Sequence, residues 1–167
     1  ILFTIMMHFP VMPPVPTNMA SSVLIAMSGG VDSSVAAFLL KESGFTCIGA
    51  TMRLFDLENT DVARETVCCS LEDVENARSV AMTLRIPYYV FDFRTDFKKR
   101  VIDNFVATYL QGSTPNPCID CNRYLKFEKF YRRSREIGCD AIATGHYARI
   151  ERVNNRFLLK KAVDSDK

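Results

Sequence analysis

The sequence predicts an α/β protein, a doubly wound parallel sheet with helices on both faces that ends in a β-hairpin. Three observations carry this prediction. Short apolar runs rich in β-branched or aromatic residues alternate with segments of helical apolar spacing. The turns between them are short, and the first run ends at a glycine pair that opens a helix.

That first run, Val23-Leu24-Ile25-Ala26-Met27, has the length and branching of a buried parallel strand. Ser28-Gly29-Gly30-Val31-Asp32-Ser33-Ser34 makes a tight turn, and Val35 to Leu40 restarts the apolar pattern at helical spacing. Gly44 closes the helix, and residues 45–55 read as a second strand. Residues 56–66 are polar and expected to form a mobile loop. Ser70 with Asp73 gives a capping-box signature, followed by Leu71, Val74, Ala77, Val80, Ala81 and Leu84 on one helical face. Pro87 opens a strand over residues 88–93. The next helix spans about 96–110, with Phe97, Val101, Phe105 and Tyr109 stacked four apart, and Gly112 ends it. Thr114-Pro115-Asn116-Pro117 reads as an extended loop, because each proline restricts itself and the residue before it. A helix over about 122–137, a strand Ala141-Ile142-Ala143-Thr144 and a turn at Gly145-His146 follow. Residues 148–153 and 156–161 then flank Asn154-Asn155 as a hairpin.

The chain has 167 residues, enough for one domain with a substantial core, and its 48% hydrophobic and 24% charged content excludes a disordered class. A net charge of +2 is too small to announce a nucleic-acid partner by itself. Six cysteines without a convincing secretory signal read as thiols, metal ligands or catalytic groups rather than disulfides. Residues 1–19 stand apart as a non-native or disordered extension. Their apolar start is too short to span a membrane and four prolines follow it, so initiation is expected at Met19 and residues 20–167 form the domain.

The loop after Met27 has the chemistry of an anion site. Gly29 and Gly30 let successive amides turn inward, the first turn of the helix offers unpaired N–H groups and the positive end of its dipole, and Ser28, Ser33 and Ser34 add hydroxyls. It lacks the Lys-Ser/Thr of a Walker loop and the spacing of a dinucleotide fingerprint. Ligands of such sheets sit off the carboxyl ends of the strands, which brings this loop, Met52 and Gly145-His146 to one crevice. Cys118-Ile119-Asp120-Cys121 lies between the proline loop and a helix. There Cys121 sits near a helix N-terminus that stabilises a thiolate, while Cys47, Cys68, Cys69 and Cys139 read as structural. Lys126, Lys129, Arg132, Arg133 and Arg135, interleaved with aromatics, form either a solvated helix face or an RNA-backbone surface.

The SGGxDS stretch resembles the signature of the PP-loop ATP pyrophosphatases, with an adenine nucleotide alpha hydrolase-like fold. Together with Thr114-Pro115-Asn116-Pro117, Cys121-Asn122, Lys126-Phe127 and Ala143-Thr144-Gly145-His146-Tyr147, the set from residue 23 to residue 167 looks like the tRNA-specific 2-thiouridylase family. The resemblance implies that ATP lies along Ala26, Met27, Ser28, Gly29, Gly30, Val31, Asp32 and Ser33, with Met52 and Gly145 near the adenosine and Mg2+ on the triphosphate. Asn116, Pro117 and Cys118 would meet the target base, and His146 and Lys167 would touch tRNA. Cys121 matches the family's nucleophile. It also implies a cytoplasmic enzyme that takes sulfur from a persulfide-bearing donor protein or another sulfide source, with a second cysteine and two further domains beyond Lys167. Many members carry Asp where this chain has Cys118, in an acid/base or orienting role. The substitution makes Cys118 and Cys121 candidate ligands of an iron–sulfur cluster. An amide-forming synthetase of the same superfamily and an inactive nucleotide- or RNA-binding module are the alternatives.

Overall fold

A computed structural model describes residues 2–4, 21–55, 71–154 and 156–163. Five strands form one parallel sheet: β1 (Leu2–Thr4), β2 (Ser22–Ala26), β3 (Thr46–Arg53), β4 (Tyr88–Asp92) and β5 (Ala141–Thr144), in the order β1-β5-β2-β3-β4. The helices are α1 (Val31–Glu42), α2 (Leu71–Thr83), α3 (94–110) and α4 (117–136). A separate antiparallel hairpin joins β6 (Ala148–Val153) to β7 (Arg156–Lys161), turning through Asn154 in the left-handed region at φ +47°. The doubly wound sheet and terminal hairpin are as the sequence predicts.

Alternation along the strands divides the core between two faces. Val23, Ile25, Met27, Cys47, Ala141 and Ala143 pack with Ala37 and Leu40 of α1 and with Ala77 and Ala81 of α2. Leu24, Ala50, Met52, Phe91 and Ile142 point the other way and pack with Phe97 and Val101 of α3 and with Leu125 and Phe130 of α4. Leu24, Ile25 and Phe130 are fully buried, each contributing about 1.5–3 kcal/mol by leaving water.

β5 returns to β2 with Val23 opposite Ala141 and Ile25 opposite Ala143. Asp140 locks the amino end of this pair, its carboxylate accepting from Ser22 N–H at 2.9 Å and from Ser22 Oγ at 3.0 Å. Those two hydrogen bonds hold the Asp140 carboxyl below the usual carboxylate range. On the other side of β2, Met27 N–H donates to Ala50 O at 2.9 Å and Thr51 Oγ1 donates to Met27 O at 2.6 Å. The Tyr88 hydroxyl lies 2.7 Å from Thr51 Oγ1 and 3.2 Å from Val74 O, so the end of β2 is tied through β3 and β4 to α2.

Three differences from the sequence reading have physical causes. The helix after the proline loop begins at Pro117 rather than about residue 122. Asn116 caps it, its Oδ1 accepting from Cys118 N–H at 3.0 Å, and proline is favoured at the first helical position, where no N–H is needed. Within α3 and α4, the segments Lys98–Ile102 and Cys121–Lys129 are wound in the wider turns of a π-helix, which apolar spacing does not distinguish. Of the segment left out of the fold, Leu2–Thr4 pairs in parallel with β5, Leu2 opposite Ile142. The loop expected over 56–66, the Ser70 cap, Cys68, Cys69, Asn155 and Lys167 lie outside the described residues.

Phe130→Ala is expected to cost about 3–5 kcal/mol in urea unfolding, because it empties the face shared with α3. Met82→Ala, at a 72% exposed position on α2, is expected to stay within about 0.5 kcal/mol of the parent.

Candidate functional site

The chain runs from β2 outward to β3 and β4 and then returns to β5 on the opposite side of β2. Helices therefore leave in opposite directions between β2 and β5, and a crevice opens there at the carboxyl ends of the strands. The loop after β2 and the turn after β5 both face it.

Gly29 sits at φ +81°, and a β-carbon on it would lie 2.4 Å from Asp73 O and 2.8 Å from Asp73 Cα. Both the backbone angle and the neighbouring α2 backbone demand glycine. Gly30 is different: it is the N-cap of α1 at φ −83°, and an added β-carbon would meet nothing closer than Ser28 Oγ at 3.5 Å. Gly30 has no side chain to cap α1, and no side-chain hydrogen bond closes that end. Ser33 Oγ accepts from Ser28 N–H at 3.2 Å and donates to Gly30 O at 3.0 Å, while Ser34 Oγ also donates to Gly30 O at 2.9 Å. These bonds fix the loop shape. Ser28, Gly30 and Val31 remain exposed, so the positive end of α1 is open to an anion, and the geometry fits a phosphate chain. Asp32 places a carboxylate in the first turn, suited to a divalent cation accompanying such an anion.

Gly145 completes the cradle. A β-carbon there would stand 2.9 Å from Ser33 N and 3.1 Å from Asp32 C, so the turn after β5 rests directly on the first turn of α1. The Tyr147 hydroxyl donates to Asp32 Oδ1 at 2.6 Å. Ser28, Gly29, Gly30, Val31, Asp32, Ser33 and Gly145 thus come together as the sequence predicts. Ala26, Met27 and Met52 are less open. Met27 and Met52 are buried on opposite faces of the sheet, and Ala26 is partly buried beside the Met52 cluster. Met27 fits because position 49 is glycine; a β-carbon there would lie 2.6 Å from Met27 Sδ.

Cys118 and Cys121 sit three residues apart in the first turns of α4, so they share a face. The pair lies within the helix, not before it as the sequence reading had it, for the capping reason given above. Cys118 is exposed and Cys121 half-buried against the α3/α4 cluster. Asp120 accepts from Asn104 Nδ2 at 2.7 Å, holding this turn to α3. Among the described residues no three His, Cys, Asp or Glu side chains converge on a metal position, so these residues do not by themselves make an iron–sulfur site. The core thiols are held in the neutral form: burial pushes Cys47 up to about 11 and also raises Cys139.

His146 bridges β5 to α4. Its Nδ1 lies 2.7 Å from Thr144 Oγ1 and its Nε2 3.2 Å from Asn122 Oδ1, with the ring 5.6 Å from that of Phe127. Burial first, and the nearby Lys126 charge second, hold its pKa below the ordinary histidine value. Asn122 and Tyr147 belong to the motifs that carry the family resemblance, but no spacing rule assigns them these bonds. The basic run on α4 is laced with carboxylates: Lys129 pairs with Asp96, Arg132 with Glu128 at 2.8 Å and Arg133 with Glu136 at 2.6 Å. These pairings favour a solvated helix face there over a phosphate-binding stripe.

A family model described as tRNA methyl transferase HUP domain matches residues 21–167. The chain is 55% identical over 152 residues to the tRNA-specific 2-thiouridylase MnmA of Clostridioides difficile (strain 630), covering 89% of this chain and 42% of that protein. It is 53% identical over 149 residues to the protein of that name from Clostridium beijerinckii, with the same shares. The chain therefore spans 42% of the length of these curated relatives. Among solved structures, a predicted subunit of tRNA methyltransferase from Methanocaldococcus jannaschii aligns at a TM-score of 0.50 and 19% identity, over 75% of this chain and 53% of that one, a likeness of fold.

Gly29→Ala is expected to lose about 1–3 kcal/mol in chemical unfolding through backbone strain and the Asp73 contact, whereas Gly30→Ala stays within about 1 kcal/mol. The depressed pKa of His146 sets a second expectation. As pH falls below the ordinary histidine value, the unfolded chain takes up a proton before the folded one. Stability is therefore lost from about pH 6.5 downward until the folded group titrates too. Urea midpoints across pH 5–7 should show that slope, and His146→Gln should flatten it.

Proposed function

This chain belongs to the family described as tRNA methyl transferase HUP domain, and on that premise we propose that it is the nucleotide-binding part of an enzyme that thiolates tRNA at position 2 of the wobble uridine. The observation that carries the reading is the open phosphate cradle at the switch point, joined through one short turn to a helix bearing a half-buried thiol. A clostridial relative 55% identical to the chain and named a tRNA-specific 2-thiouridylase supports the choice of substrate.

In this reading ATP is a substrate. The amides at Gly29 and Gly30 and the α1 dipole bind its phosphates, and the Ser28 and Ser33 hydroxyls fix the loop that presents those amides. Magnesium, when bound, would neutralise the triphosphate, with Asp32 as its carboxylate and the Tyr147 hydroxyl orienting that carboxylate. The uridine 2-oxygen attacks the α-phosphorus, the α–β anhydride breaks and pyrophosphate leaves, because an oxide ion is a poor leaving group and AMP a good one. From a persulfide-bearing donor protein the outer sulfur passes to Cys121 by thiol–persulfide exchange and displaces AMP at C2; a second thiol then cleaves the C2–S–S–Cys121 adduct, releasing the thiouridine and leaving a disulfide that an external thiol reduces, whereas another sulfide source would displace AMP directly without loading Cys121. Cys121 stands just past the first turn of α4, half-buried beside Asn122, which His146 ties to the turn after β5. Asn116, Pro117 and Cys118 at the start of α4 would face the target base, and His146 with Lys167 the tRNA. Asn116 Oδ1 is already engaged in the cap, so contact with the base would use the rest of that residue. The enzyme works in the cytoplasm in this reading. No helix among the described residues is long and apolar enough to cross a membrane.

With the intact protein, ATP–pyrophosphate exchange is expected to require unmodified tRNA. Cys121→Ser should lower 2-thiouridine, read by nucleoside mass spectrometry, by at least about 100-fold while leaving the exchange in place. Exchange driven by a free amino acid or nucleotide without tRNA, or thiolation intact in Cys121→Ser, would overturn the reading.

A further inference from the structure

The turn Gly145-His146-Tyr147 touches both halves of the site. Its first residue presses on α1 so closely that a β-carbon would stand 2.9 Å from Ser33 N, and its third donates to Asp32 Oδ1 at 2.6 Å. The middle residue bonds Asn122 Oδ1 through Nε2 at 3.2 Å, and Asn122 follows Cys121 directly in α4. His146 is anchored from behind by Thr144 Oγ1, itself buried at the end of β5.

Parts packed without spare volume do not move independently. A displacement of the first turn of α1 is therefore passed to Gly145, and from His146 to Asn122. The receiving segment, Cys121–Lys129, is wound in π-helical turns, an arrangement that recurs at functional sites.

The geometry points to the Gly145-His146-Tyr147 turn as a coupler through which nucleotide in the cradle sets the reactivity of the Cys121 thiol, with His146 and Asn122 as positioning residues. This rests on the nucleotide reading of the cradle given above. It makes thiol activation conditional on a loaded site: sulfur carried on Cys121 is presented only when the adenylating half is occupied.

The test is the rate of iodoacetamide alkylation at Cys121 in the intact protein, mapped by peptide mass spectrometry with and without saturating ATP. ATP binding is measured separately by equilibrium dialysis. ATP is expected to change the Cys121 rate by about fivefold or more, and Asn122→Ala and Tyr147→Phe to bring the ratio to within about twofold of one. The buried thiols Cys47 and Cys139 stay unreacted while the fold is intact. A variant that exposes them is replaced by His146→Ala, which cuts the same bridge. A ratio that survives Asn122→Ala and His146→Ala means that ATP only shields the thiol, and overturns the coupling. ATP that binds without changing the rate overturns it too, leaving the nucleotide reading intact. Failure of ATP to bind removes the nucleotide reading and the coupling with it.

Discussion

The return of β5 to the side of β2 is the pairing on which the site depends. Three backbone registers, Val23 with Ala141, Leu24 with Ile142 and Ile25 with Ala143, set the carboxyl ends of two strands side by side although they lie more than a hundred residues apart in sequence. Ser22 and Asp140 clamp the amino end of the same pair through two hydrogen bonds to one carboxylate. A slip of one residue would exchange the residues that β5 presents to the two cores and carry Gly145 away from α1. The strand is fully buried along its length, so such a slip is strongly opposed.

Around that pairing the sheet serves two separate cores. The face carrying α1 and α2 is built from small residues, Ala37, Ala77, Ala81, Ala141 and Ala143, and brings helix backbones close to the strands. This is why Gly29 can press on the backbone of Asp73. The opposite face is aromatic, with Phe91, Phe93, Phe97 and Phe130 packed at ring separations near 6 Å where they pair. Phosphate chemistry is thus framed by tightly approaching backbone, and the thiols by a bulkier cluster.

Much of this was legible in the sequence. The identities of β2 to β5, the hairpin bounds and the glycine loop follow from apolar period and turn chemistry, which are local properties, whereas β1 lies in the segment left out of the fold. The start of α4 was misread because prolines at 115 and 117 look like breakers, and only the Asn116 side chain, accepting from Cys118 N–H, turns Pro117 into a helix start. The contacts that unite the site were not legible at all. Gly145 against Ser33, Tyr147 on Asp32 and His146 on Asn122 join segments by tertiary register, and no spacing along the chain encodes a distance between α1, β5 and α4. Gly49 likewise looks like an unremarked strand residue until Met27 is seen filling its place.

Among the described residues β4 is the last strand on its side of the sheet, with Tyr89 and Val90 substantially exposed. An open edge of that kind invites a strand from another molecule. Here it is guarded by charge: Arg94 pairs with Asp92 at the end of the strand, and the Arg133 guanidinium, held by Glu136, lies 5.3 Å from the Phe91 ring. An incoming chain would have to strip water from these ion pairs while offering them no partner. Ion pairs this exposed add little to folding stability, and their consequence is colloidal: charge beside an edge strand disfavours its pairing with another molecule.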